Sequence, residues 1–246
     1  MSGLATTQSG AARPATRTGC RDRILVVLHQ ESSTPGRVGL ILKHRGYRLD
    51  IRRPPLGDPL PATLAEHRAA IFFGGPMSAN DEHEFIRRER DWIAVPLGEA
   101  KPFLGICLGA QLLARHAGGA VGEHRRGIVE IGYFPLVATP AGEALMEWPP
   151  CVHQWHREWL TPPEGADVLA VGTRGEAQAF RIGRCAYGVQ FHPELTLAMV
   201  HRWTVRGANR FHLEGAQERH QHFEGRMRHD RAVRQWLERF LDLWLA

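Results

Sequence analysis

A chain of 246 residues with 43% hydrophobic content can bury a substantial core, and a single domain of this length is ordinary for mixed α/β folds. The formal charge of +5 does not point to nucleic acid, because the arginines are scattered (Arg87, Arg88 and Arg90; Arg125 and Arg126; Arg226, Arg228 and Arg231) and mixed with acids, with no basic run interleaved with stacking aromatics. No apolar stretch could span a bilayer, the N-terminus lacks the apolar segment of a signal peptide, and Cys20, Cys107, Cys151 and Cys185 show no disulfide or metal spacing, so a cytoplasmic protein without membrane contact is expected.

Residues 1–22 are rich in Ser, Thr, Ala and Gly without apolar periodicity and read as a mobile tail ahead of one domain, 23–246. Arg23-Ile24-Leu25-Val26-Val27-Leu28 predicts a buried strand. Thr34 then reads as an N-cap with Pro35 at the first helical position, and that helix runs to about Arg45 and stops at Gly46. Tyr47–Ile51 alternates as a second strand closed by Pro54-Pro55, and a short helix is expected near Leu60–His67. Ala70-Ile71-Phe72-Phe73 predicts a strand opening into Gly74-Gly75-Pro76, and a charged helix follows from about Glu82 to Ala94. Strands alternating with helices imply a mainly parallel central sheet covered by helices on both faces, a three-layer α/β/α fold.

The strand Pro102-Phe103-Leu104 runs into Gly105-Ile106-Cys107-Leu108-Gly109 and then a helix over Ala110–His116 closed by Gly118-Gly119. Gly-x-nucleophile-x-Gly between strand and helix is the nucleophile-elbow pattern. Flanking glycines let the chain reverse sharply and leave room at the sulfur. A helix N-terminus there favours thiolate over thiol at Cys107. Beyond Ile128 the pattern becomes strand-rich, over Ile128–Val137, Val168–Val171, Ala177–Ile182 and Ala186–Phe191. The last of these ends in His192-Pro193-Glu194. In an extended chain residues two apart share a side, so Glu194 can orient the His192 imidazole towards the cysteine. The backbone N–H groups of Gly75 and Leu108 are candidates for an oxyanion hole.

Fourteen histidines raise the question of metal, chiefly His212, His220, His222 and His229, but no His-Glu-x-x-His or similar spacing is present, and these read as a solvated face. In the final stretch, Arg231–Leu245, Trp236, Leu237, Phe240, Leu241 and Trp244 form one apolar helical stripe, expected to pack on the core.

The three segments Gly74-Gly75-Pro76, Gly105-Ile106-Cys107-Leu108-Gly109-Ala110-Gln111 and Gly188-Val189-Gln190-Phe191-His192-Pro193-Glu194, in this order, resemble the class I (triad) glutamine amidotransferases, nearest in flavour to the glutaminase domain of GMP synthase and its free-standing relatives. The likeness covers roughly residues 23–205. It implies Cys107 as nucleophile, His192 as general base and acid, Glu194 as the residue that orients His192, and Gly75 and Leu108 as oxyanion donors. It further implies that Gly74, Gln111 and His156 contact the substrate, His156 from a His-containing loop in Val152–Glu158, where Trp-His-Arg-Glu replaces the Ser-His-Gly-Asp type of GMP synthases. The reaction so implied is hydrolysis of the glutamine side-chain amide to release ammonia, without metal or organic cofactor. Two alternatives stay open, a free-standing γ-glutamyl hydrolase or peptidase and a non-enzymatic regulatory protein on the same fold; as partners, a separate synthetase subunit that takes up the ammonia and a homodimer stay open. An α/β-hydrolase ranks low, since that fold places its acid before the histidine, whereas Glu194 follows His192.

Overall fold

A computed structural model describes residues 22–246, so the expected N-terminal tail lies outside the described residues apart from Asp22. The chain begins with strand β1 (Arg23–Val27), helix α1 (Gly36–His44) and strand β2 (Arg48–Arg52). Strand β3 (Ala69–Phe72), helices α2 (Glu84–Trp92) and α3 (Ala94–Gly98), strand β4 (Phe103–Ile106) and helix α4 (Leu108–His116) follow. A strand-rich section then carries β5 (Ala120–Glu123), β6 (Glu130–Pro135), β7 (Val137–Ala138), helix α5 (Pro140–Leu145), β8 (Cys151–His156), β9 (Glu158–Thr161), β10 (Asp167–Val171), β11 (Ala177–Ile182) and β12 (Ala186–Val189). Helices α6 (Leu197–Arg206) and α7 (Arg219–Leu245) close the chain, with a 3-10 turn over Ala208–Arg210 between them.

Eight strands form the central sheet in the order β2-β1-β3-β4-β12-β11-β10-β7, with β2 through β12 parallel and the last three joined antiparallel. The order on the parallel side is that of flavodoxin-like sheets, so the carboxyl ends of β1, β3, β4 and β12 open on one edge, where such folds place ligands. Alternation along β1 builds both outer layers. Ile24, Val26 and Leu28 face α1 and the Trp236–Trp244 stripe of α7, whereas Leu25 and Val27 face α2 and α4. The C-terminal stripe is therefore core packing, as its spacing predicts.

Several local expectations are displaced. No helix forms over Leu60–His67: Pro59 and Pro61 remove backbone donors, and the Leu64 N–H turns to the Glu99 carboxylate at 3.1 Å. Helix α1 starts one residue later than Thr34 and Pro35 suggest, with Pro35 as N-cap and Gly36 at φ +50°. The Arg37 N–H at its start donates to the Glu194 carbonyl at 2.8 Å. The charged helix over Glu82–Ala94 is broken at Ile93 into α2 and α3. Val152–Glu158 is strand, not loop, apart from the bend at Arg157 between β8 and β9.

Candidate active site

Cys107 sits between β4 and α4 at φ +52° and ψ −106°, a strained conformation for a residue with a Cβ. Hydrogen bonds on both sides hold it there: its N–H donates to the Val189 carbonyl at 2.8 Å, and its carbonyl accepts from the Gln111 N–H at 3.0 Å. The positive φ thus falls on the cysteine, not on the glycines around it. Their role is close approach: a Cβ on Gly105 would lie 2.4 Å from the Gly109 carbonyl, and one on Gly109 would lie 2.1 Å from the Phe72 carbonyl oxygen. Two other thiols are poor competitors in reactivity, because burial pushes Cys151 up to about 11 and also raises Cys185. Iodoacetamide at neutral pH is expected to modify Cys107 well before Cys151 or Cys185, as peptide mass mapping would report; equal rates at all three would contradict a nucleophilic Cys107.

His192 and Glu194 meet as the sequence suggests, but in a turn and not along a strand. Strand β12 ends at Val189, and the Leu195 N–H folds back towards the His192 carbonyl at 3.4 Å. His192 Nδ1 lies 2.8 Å from Glu194 Oε1, with both side chains buried. His192 Nε2 is buried without a formed hydrogen bond, and the ring is coupled electrostatically to the Cys107 sulfur. Burial opposes a proton on this ring, yet the Glu194 carboxylate and the Cys107 sulfur outweigh it and push His192 up to about 10. It therefore carries its proton at neutral pH. Trp203 packs edge-on against the ring, 4.8 Å between centroids at 80°.

Gly74 lies between the two groups: a Cβ there would stand 3.0 Å from His192 Cε1 and 3.4 Å from Cys107 Cβ. The Leu108 N–H opens α4, where a helix leaves amides without intrahelical acceptors. Gly75 is packed against Leu108 and His29, with a Cβ there meeting His29 at 2.8 Å and Leu108 at 3.0 Å. His29, which sequence reasoning did not single out, steadies this loop. Its Nδ1 reaches the Gly74 carbonyl at 3.2 Å, and its Nε2 lies 2.7 Å from the fully buried Glu89 carboxylate.

Two residues assigned to the substrate are placed elsewhere. Gln111 is buried, with Nε2 donating to the Glu158 carbonyl at 3.0 Å and Gln190 Oε1 at 3.2 Å, and it is not part of the cavity wall. His156 points to the other face of β8, 3.2 Å from Glu130 Oε2. Alternation along β8 presents Trp155 to the cavity instead. His222 also departs from the solvated-face reading. It is fully buried and accepts from His153 across 3.1 Å, while its own Nε2 donates to the Gln217 carbonyl at 3.2 Å. Burial lowers both rings below the usual imidazole range, so they stay neutral behind His192.

Gly74, Gly75, Cys107, His192 and Glu194 share one cavity of about 380 Å³, within the range of small-molecule sites. Ser32, Ser33 and Thr34 before α1, and Arg202, Trp203, Arg206 and Arg210 in and after α6, complete its lining.

The family model for class-I glutamine amidotransferases matches residues 41–204. A glutamine amidotransferase-like protein, YfeJ, of Salmonella typhimurium is 30% identical over 188 residues, 72% of this chain and 78% of that one. A subunit of the glutamine-hydrolysing GMP synthase of Sulfurisphaera tokodaii is 32% identical over 136 residues, 54% of this chain and 70% of that one. Among solved structures, a glutamine amidotransferase from Thermotoga maritima superposes with a TM-score of 0.81 at 27% identity, covering 91% of this chain and 97% of that chain. One from Methylobacillus flagellatus reaches 0.84 at 24% identity over 92% and 94%, and bears on the fold alone.

Proposed function

Because the chain belongs to the class I glutamine amidotransferase family, we propose that it hydrolyses the side-chain amide of glutamine, or of a γ-glutamyl compound, through a thioester on Cys107. The observation that carries this reading is the buried His192–Glu194 pair coupled to an elbow cysteine in the wall of one cavity. The Cys107 sulfur attacks the amide carbon, and the carbonyl oxygen becomes an oxyanion facing the Gly75 and Leu108 N–H groups. Loss of one such donor costs about 3–4 kcal/mol of barrier. Protonated His192 delivers its proton to the departing nitrogen, leaving the γ-glutamyl thioester and free ammonia or amine. Neutral His192 then takes a proton from water as its oxygen attacks the thioester. Glutamate leaves, and the sulfur and the imidazolium are restored. Glu194 holds the ring at Nδ1 and stabilises its charged form.

No metal or organic cofactor takes part in this sequence. A reducing, cytoplasmic setting suits a free thiol nucleophile. The likeness to a GMP synthase subunit supports a separate synthetase as ammonia acceptor. A second reading, a free-standing hydrolase of γ-glutamyl amides larger than glutamine, is favoured by the three arginines that line the cavity.

The test is purified protein incubated with glutamine, with ammonia and glutamate measured together, alongside a diazo-ketone analogue of glutamine. Equal release of both products and a single adduct on Cys107 are the expected results. An adduct on another cysteine, or none with no product from glutamine or γ-glutamyl peptides, would remove the proposal.

A further inference from the structure

Arg202, Arg206 and Arg210 line the cavity, and none of them pairs with a carboxylate among the described residues. Some arginines in or next to the helices do pair, Arg37 and Arg226 with Asp230, and Arg45 with Asp242. Arg202 and Arg206 are steadied by neutral oxygens only, donating to the Ser32 carbonyl and the Ser32 hydroxyl, each at 2.9 Å. A guanidinium has five N–H donors, so each keeps several for a ligand. The one carboxylate in the described wall, Glu194, is already engaged by His192. The cavity therefore presents, beside the His192–Glu194 pair, three arginines without a carboxylate partner among the described residues.

Their arrangement exceeds what glutamine needs. Arg202 and Arg206 are one helical turn apart on α6, and Arg210 ends the 3-10 turn that follows. Glutamine brings a single carboxylate, on its α-carbon. Three guanidinium groups in the same cavity as Cys107 and His192 match a substrate with a second anionic group. Arg206, Arg210 and the Ser32–Thr34 segment also lie outside residues 41–204, the part of the chain matched by the family model.

Building on the hydrolase reading, we propose that Arg206 and Arg210, with Arg202, form a subsite for a carboxylate on the leaving amine, so that the preferred substrate is a γ-glutamyl amide of an amino acid or short peptide. Hydrolysis would add water across the amide and release glutamate and that amino acid or peptide. Guanidinium forks suit carboxylates because they can donate two parallel hydrogen bonds.

Binding to the Cys107→Ala protein tests this without relying on turnover. Calorimetry would compare γ-glutamylglycine with γ-glutamylethylamide, which share the γ-glutamyl part and differ by the carboxylate. The expected result is about tenfold or greater preference for γ-glutamylglycine, the effect of one charge-assisted hydrogen bond. That preference should collapse when Arg206→Gln and Arg210→Gln are added, and should persist in part with Arg206→Lys and Arg210→Lys. Equal affinity for the two amides, no detectable binding of γ-glutamylglycine, or a preference that survives the glutamine substitutions would overturn the subsite. Ammonia release from glutamine by the unmodified protein, combined with equal binding, would sink the subsite and leave intact the proposal that Cys107 hydrolyses the glutamine amide. Selective binding through the arginines with no turnover of any amide would do the reverse.

Discussion

Replacing His192 with alanine is expected to lower turnover of a γ-glutamyl amide by on the order of 10⁴-fold, and Cys107→Ala by at least as much, because both act in the same bond-breaking step. The two losses should not add: without the sulfur there is no thioester for His192 to resolve. Glu194→Gln is expected to retain measurable activity, since the amide can still meet the ring at Nδ1 but no longer stabilises its charge. The sign of the accompanying pH effect follows from the same contact. Glu194 helps hold His192 up at about 10, so its neutralisation lets His192 lose its proton at lower pH. The alkaline limb of kcat/KM should then move down in pH. Steady-state kinetics across pH would read both effects. Unchanged turnover in His192→Ala would take the residue out of the chemistry.

The parts of this site that are legible in the sequence are local in the chain. Gly105-Ile106-Cys107-Leu108-Gly109 carries its strand, elbow and helix within a few residues, and His192 and Glu194 are two apart. The order of strands and helices likewise points to the parallel half of the sheet. What escapes depends on pairings between distant segments. His156 and Trp155 are adjacent, and only the register of β8 on β6 decides which faces the cavity; a shift of one residue exchanges them. His29 and Glu89 are 60 residues apart, and nothing in either neighbourhood announces the other. Nothing local marks Arg202 and Arg206, and the fold turns this side of α6 onto the cavity. Gln111 follows the motif faithfully, yet its amide is held by Glu158 and Gln190, and the pairing with Glu158 lies outside the motif. Around Leu60–His67 the apolar pattern suggests a helix, but the donors missing at Pro59 and Pro61 outweigh periodicity.

Gly109→Ala separates two explanations of the Gly-x-Cys-x-Gly pattern. If the second glycine exists to clear space at the sulfur, a methyl group there should impair reaction with substrate while leaving the fold intact. The geometry gives a different reason. The added Cβ would sit 2.1 Å from the Phe72 carbonyl oxygen and 2.7 Å from its carbon, so the first turn of α4 cannot keep its distance from β3. Backbone atoms on both sides leave no flexible side chain to move aside. Overpacking of this kind costs about 3 kcal/mol, which in a chain of this size lowers the unfolding midpoint by roughly 6–12 °C. Loss of activity should follow, because the same displacement shifts Cys107 and the Leu108 N–H relative to Gly75. Thermal unfolding followed by circular dichroism, together with alkylation of Cys107, would measure the two effects side by side. A wild-type midpoint with lost activity would return Gly109 to the sulfur, whereas a lowered midpoint identifies it as the contact that lets α4 approach β3.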